Sequence, residues 1–211
     1  MRVFIVVMLS FIITLQAIST YNISTSALNA IEKKYGKKAK QRTILWDQML
    51  QKAKGQKVLN KLKAVNDFFN RIKYLSDKRH WRKNDYWASP FEFLGTGAGD
   101  CEDYAIAKYF ALRKLGIPDK KLKITYVKLL RRGTRYEEAH MVLNYYHKPN
   151  STPIVLDNVN KKMKLATKRK DLKPIYSFNA AGLWQAKNKG KTIQRVGKNN
   201  LRNWKSLLSR I

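Results

Sequence analysis

One stretch of the chain constrains both its local structure and its chemistry: GTGAGDCEDYAIAKYFALRKLGIP, residues 95–118. Gly95, Gly97 and Gly99 make a hinge, and the pattern after it predicts a helix beginning at Asp100. Asp100, Glu102 and Asp103 crowd the first turn, where carboxylates suit the positive end of the helix dipole. Gly116 and then Pro118 stop the helix in the usual order. Cys101 therefore sits one residue into a helix, directly after a turn small enough for a substrate backbone to approach. A helix N-terminus stabilises a thiolate, the form a nucleophilic cysteine needs.

Cys101 is the only cysteine, and there are only three histidines. That count excludes a disulfide scaffold, zinc fingers, iron–sulfur clusters and c-type haem. The 211 residues suffice for one domain with a real core, and 44% hydrophobic with 11% aromatic content is not a disordered composition. Forty-four Lys and Arg against 14 Asp and Glu give a net charge of +30, a field that attracts acidic partners.

Arg2 followed by the apolar run VFIVVMLSFIITL reads as a signal peptide over residues 1–19, cut after Ser19 or alternatively after Ala17. The competing reading is an uncleaved anchor, for which the run is short against a span of about 20 residues. The expected location is outside the cytosol, with no stable membrane insertion after cleavage. In an oxidising compartment a lone cysteine is an intermolecular bridge, an inert buried side chain or a reactive thiol.

Residues 20–211 read as a single domain of three parts: helical over about 24–75, a core over about 76–184, and a basic, loop-rich tail over 185–211. Val58, Leu62, Val65, Phe69 and Ile72 form an amphipathic stripe, and Ile44, Leu45, Gln48, Met49 and Lys52 a weaker one. Three strand-like runs follow the cysteine helix: Lys121 to Leu130, Ala139 to Tyr146 and Pro153 to Asp157. In the second, His140, Val142, Asn144 and Tyr146 share one face. The tail carries eight Lys or Arg and no acid, with Leu201, Trp204, Leu208 and Ile211 as an exposed helical stripe.

Helix-borne Cys101, strand-borne His140 and strand-end Asp157 form a physically sensible nucleophile, base and orienting acid. His80, before an aromatic loop, and His147, beside a turn, are poorer bases. Tyr86 and Trp87 on that loop are candidates either for lining a groove or for plain packing. The carboxylates beside Cys101 raise a thiol pKa unless a cation offsets them, and carboxylates without a Cys/His cluster suit a hard ion such as calcium.

The stretches DYWASPFEFLGTGAGDCEDYAIAKYFALRKLGIP, ITYVKLL, AHMVLNYY, IVLDN and YSFNAAGLW together resemble the bacterial transglutaminase-like cysteine proteinases, and within them the LapG-type periplasmic proteases. The likeness runs from about Asn66 to Trp184. It implies an α+β fold with a papain-like, transglutaminase-like core, N-terminal helices, the cysteine at a helix N-terminus, and His and Asp on adjacent antiparallel strands. It implies a Cys-His-Asp triad falling on Cys101, His140 and Asp157. It also implies calcium held by Asp100 and Glu102, with Asp77 as a third ligand, Asp85 a more distant candidate and the Tyr104 carbonyl another; Asp103 is read as an ordinary helix-start acid. The implied activity is a periplasmic endopeptidase that cuts a large repetitive surface adhesin near its N-terminus and so disperses biofilm. The implied partner is an inner-membrane receptor that responds to cyclic-di-GMP and sequesters the protease through its periplasmic domain.

Two other readings stay open on sequence. A transglutaminase would use the same triad and pass the acyl group to an amine. A non-enzymatic basic module would use the tail and the Lys161 to Lys173 cluster, although no nucleic-acid motif is visible and nucleic acid is not an expected partner.

Overall fold

A computed structural model describes residues 23–131, 133–187 and 192–211. The expected signal peptide lies outside the described residues. Among the described residues, no helix is long and apolar enough to cross a membrane.

Helix α1 (Thr25–Tyr35) starts at Ser24, whose hydroxyl accepts the Ala27 N–H, and Gly36 at φ 85° separates it from α2 (Lys37–Ala53). The buried face of α2 is Ala39, Thr43, Trp46, Asp47, Leu50 and Ala53, one position away from the expected stripe. Leu45 is exposed because Trp46, the bulkier residue, takes the core position. Helix α3 (Val58–Phe69) buries Leu62, Val65 and Phe69 of the expected stripe, leaves Val58 exposed at its first turn, and ends before Ile72.

Strand β1 (Lys73–Tyr74) and helix α4 (Asp77–His80) lead into the aromatic loop. Helix α5 (Pro90–Thr96) follows, closed by a Ser89/Glu92 capping box with Pro90 at its start. Part of the expected glycine hinge is thus helical. Strand β2 (Ala98–Gly99) pairs parallel to β1, and helix α6 (Cys101–Lys114) starts immediately after it.

The seven remaining strands are β3 (Leu122–Leu130), β4 (Glu137–Tyr145), β5 (Ile154–Leu156), β6 (Lys164–Leu165), β7 (Leu172–Phe178), β8 (Leu183–Lys187) and β9 (Thr192–Gly197). They form one antiparallel sheet in the order β6-β5-β4-β3-β7-β8-β9. Met141, Leu143 and Tyr145 of β4 join the main core with Ile106 and Leu112 of α6, whereas Val142 belongs to a separate small cluster with Val127 and Val155. This one-helix-on-sheet arrangement with preceding helices is the expected α+β class.

The described part of the segment read as a loop-rich tail instead holds β9 and helix α7 (Arg202–Leu208). Trp204, expected on an exposed stripe, is 2% exposed, stacked on Phe110 and edge-on to Tyr109 and Phe178. Leu207 rather than Leu208 shares its buried face, so the stripe covers the core and its basic residues face out.

Candidate active site

The nucleophile candidate is placed by backbone constraints. Gly97 ends α5 in the left-handed region at φ 71°, and Arg42 donates to the Leu94 and Gly95 carbonyls there. At Gly99 a Cβ would lie 2.3 Å from Asp103 Oδ2 and 2.8 Å from the Phe93 ring, so only glycine lets β2 run this close to α6. Asp103 accepts from the Asp100 N–H at 3.1 Å and from the Ala88 N–H at 2.8 Å, tying the helix start to the aromatic loop. Both of its oxygens are committed to backbone, in keeping with a helix-start acid.

Cys101 is partly buried, and its thiol donates to Glu102 Oε2 at 3.1 Å. Burial first, then the charges of Glu102 and Asp100, push its pKa well above the usual thiol value; a Met141 backbone hydrogen bond works the other way. Helix α6 packs against β4, the strand that carries His140.

His140 is 4% exposed and Asp157, just past β5, is 1% exposed. His140 Nε2 meets Asp157 Oδ1 at 2.8 Å, which leaves Nδ1 as the second ring nitrogen. The same Oδ1 accepts the Val159 N–H at 2.9 Å. Burial alone would raise the Asp157 pKa, but His140, the Val159 N–H and Arg169 outweigh it and hold this carboxylate well below the usual range. The sequence thus brought together two of its candidates, and the strand carrying His140 abuts the helix carrying the third.

The acidic candidates gather on the other side of Cys101. Single ligand atoms of Asp77, Asp100 and Asp103, of Asp100, Cys101 and Glu102, and of Asp77, Asp85 and Glu102 lie within 4.8 Å of one another. Asp100 Oδ2 accepts the Asp77 N–H at 3.3 Å, and the Tyr86 N–H donates to Asp77 Oδ2. Asp77 Oδ1 and Asp100 Oδ1 are buried with no hydrogen-bond partner. Burial is the leading cause that raises Asp77 to about 6, Asp100 to about 8 and Glu102 to about 7. Converging carboxylates with orphaned buried oxygens fit a hard divalent cation. Asp85 is more exposed and already accepts from Trp87 Nε1 at 2.9 Å and Asn203 Nδ2 at 2.6 Å. Tyr104 lies inside α6, where carbonyls are engaged by the helix ladder.

Of the aromatic candidates, Trp87 is core: it is 6% exposed and stacks on Phe178. Tyr86 hydrogen-bonds Glu92 and lies under both Lys83 and Arg210. His80 packs edge-on against Trp81. The residues that sequence reasoning missed are Arg169, whose guanidinium lies 2.7 Å from Asp157 Oδ2, and Lys108, whose ammonium is buried between Asn66 and Asn70. Arg169 was hidden in the basic cluster; its signal was Asp171, the sole acid after Asp157.

The family profile of the bacterial transglutaminase-like cysteine proteinases matches residues 33–189. A structure titled Legionella pneumophila LapG (EGTA-treated) is 39% identical, with a TM-score of 0.76, covering 89% of this chain and 97% of its own. The calcium-bound form of Legionella pneumophila LapG is 39% identical, with a TM-score of 0.74, covering 89% of this chain and 99% of its own. Among curated proteins, none matches. With a profile spanning most of the chain and solved relatives near full length, the chain belongs to the LapG-like bacterial transglutaminase-like cysteine proteinases.

Proposed function

We propose that the protein is an exported, calcium-dependent cysteine endopeptidase with Cys101 as nucleophile, His140 as base and Asp157 as orienting acid. The observation that carries this reading is the buried pair of His140, on the strand beside the helix that begins with the chain's only cysteine, and Asp157, just past the next strand. His140 takes the thiol proton, and Sγ attacks the scissile carbonyl carbon. The oxyanion is received by the Cys101 N–H, one of the first-turn amides with no intrahelical acceptor. As the C–N bond breaks, His140 returns the proton to the leaving amine. Water, deprotonated by His140, then attacks the thioester and releases the thiolate. Asp157 holds the tautomer with the proton on Nε2 and stabilises the charged ring.

Asp77, Asp100 and Glu102 would hold the calcium ion, with Asp85 within reach. When bound, calcium supplies the positive charge that offsets the carboxylates beside the thiol. The calcium-bound form of the Legionella relative supports this ligand chemistry. The finer reading, also a proposal, is a periplasmic enzyme that cuts the N-terminal region of a large surface adhesin, releasing it and dispersing biofilm. A cyclic-di-GMP-responsive inner-membrane receptor would bind and restrain it. The net charge of +30 favours encounter with an acidic substrate, an effect that salt weakens.

The test is cleavage of an N-terminal adhesin fragment from the same organism, with calcium, with chelator, and with Cys101→Ala. A cut that needs both calcium and Cys101 is expected. Amine incorporation without chain cleavage would make the protein a transglutaminase, and an unchanged biological effect of Cys101→Ala would make it a binding protein.

A further inference from the structure

The catalytic acid proposed above has a second partner that the triad does not explain. Asp157 Oδ1 serves His140 and Val159, while Oδ2 faces the Arg169 guanidinium at 2.7 Å, with both side chains essentially inaccessible to water. Arg169 is gripped in turn by Asp171: Nε reaches Oδ1 at 2.9 Å and Nη2 reaches Oδ2 at 2.7 Å. The clamp stands on a tight turn, with the Arg169 N–H bonded to the Ala166 carbonyl and the Leu172 N–H to the Arg169 carbonyl. The Asp171 carbonyl receives the Leu130 N–H at the end of β3, so the guanidinium is anchored to the sheet that carries His140.

A buried arginine is expensive unless its charge is paired, and here Nε and Nη2 carry that pairing while Nη1 is buried without a hydrogen-bond partner. Here the charges of Asp157, Asp171 and Arg169 sum to minus one, and protonation of His140 brings the four groups to zero. Apart from the nearby Lys108 ammonium, these four groups balance in the state in which the imidazole has taken the thiol proton. Asp157 Oδ2 is buried with no hydrogen-bond partner, so its charge contact with Arg169 is what keeps it from turning toward another donor and drawing Oδ1 off the ring nitrogen.

We propose that Arg169, clamped by Asp171, is a positioning residue: it pins Asp157 Oδ2 so that Oδ1 stays on His140 Nε2 and Nδ1 stays available to Cys101. This rests on the peptidase reading, but its test does not depend on peptide cleavage. Because Cys101 is the only thiol, iodoacetamide reads its reactivity directly in the calcium-loaded full chain. Arg169→Met is expected to slow alkylation about tenfold and to lower kcat on the adhesin fragment about 100-fold, with KM within about twofold. It should also abolish the downfield imidazole N–H proton resonance of the His140–Asp157 bond. Arg169→Lys, which keeps the charge, should recover at least about tenfold of the kcat loss.

Wild-type alkylation and an intact N–H resonance in folded Arg169→Met would overturn the proposal, as would an Arg169→Lys protein as impaired as the Met variant at a native melting temperature. Should Arg169→Met not fold, Asp171→Asn reads the same quantities by loosening the guanidinium from its more exposed side. A fall of about threefold or more in alkylation supports the clamp, and no change overturns it. If the wild-type protein cuts no adhesin fragment, the peptidase reading fails while alkylation and the N–H resonance still decide the role of Arg169.

Discussion

The two sides of the active site treat the same chemical group in opposite ways. Beside Cys101, burial raises the carboxyls of Asp77, Asp100 and Glu102, to about 6, 8 and 7, and among the described residues no cation pairs with them. Beside His140, Asp157 is more deeply buried than Asp100 or Glu102, yet it is held well below the usual range, because a histidine, a backbone N–H and Arg169 converge on it. Burial is common to both, so it is the supply of positive charge that differs. The base side carries its own cation in the chain, whereas the nucleophile side leaves its charge unmatched. Metal dependence is therefore expected to be a property of one half of the triad only.

The largest effect should come from the self-sufficient half. Asp157→Asn leaves a neutral group opposite His140 Nε2, presents the wrong tautomer to the ring and strips Arg169 of a partner. A fall in kcat of about 10³ to 10⁴ is expected, with calcium affinity unchanged by calorimetry. A fall below tenfold would break the comparison, since the base would then not depend on its acid.

The other half is read by stability. Calcium at about 100 times its dissociation constant should stabilise the wild type by about 2.7 kcal/mol, or about 5–10 °C in Tm for a domain of this size. Asp100→Asn should lose more than half of that shift and lose activity at limiting calcium. In chelator the same variant should melt no lower than the wild type, because one uncompensated buried carboxylate has been removed. A variant clearly less stable than the wild type in chelator would mean that Asp100 is a structural residue already satisfied without the ion.

How much of this was legible in the sequence divides along the same line. The nucleophile side is local: the glycines, Cys101 and its flanking acids lie within a few residues, so hinge, helix start and acidic crowding could be read directly. Asp77 arrives from another helix, and its approach to Asp100 needed the fold. On the base side, alternation in β4 gave the His140 face, and the third strand ended near Asp157. Arg169 carried only the indirect signal of Asp171, because a buried arginine amid surface lysines looks the same as its neighbours. Trp204 misled for a related reason: a short stripe with basic residues around it has the same pattern whether it faces solvent or, as here, the rings of Phe110 and Phe178.

Asp85 separates reach from commitment. Its carboxylate lies near Asp77 and Glu102, yet both of its oxygens are held by Trp87 and Asn203. Asp85→Asn should therefore weaken calcium binding by about threefold or less, against about tenfold or more for Glu102→Gln, both measured by calorimetry. Equal losses would place Asp85 among the ligands and tie α7 to the metal site.

The smallest catalytic effect is expected at Lys108, the second cation on the base side. Its ammonium is fully buried, donates to Asn66 and Asn70, and has no carboxylate in contact; Asn70 in turn donates to the Asp157 carbonyl. Burial lowers its pKa to about 7, with Asp157 and Asp67 pulling weakly the other way. In the unfolded chain this lysine titrates near 10.4. Between about pH 7 and 10 the unfolded state thus binds more protons than the folded one, and this group makes stability rise with pH across that window, by on the order of a few kcal/mol. Below about 7 both states are protonated and the full burial penalty stands. Lys108→Met removes the penalty and strands two amide oxygens, so its net effect at one pH has no fixed sign. The difference in unfolding free energy, variant minus wild type, must however be greatest near pH 6 and shrink toward pH 10, as denaturant titrations across that range would show. If Arg169 is what holds Asp157, kcat of Lys108→Met should stay within about threefold of the wild type. A larger loss at constant KM would move part of the base side's charge balance from Arg169 to Lys108.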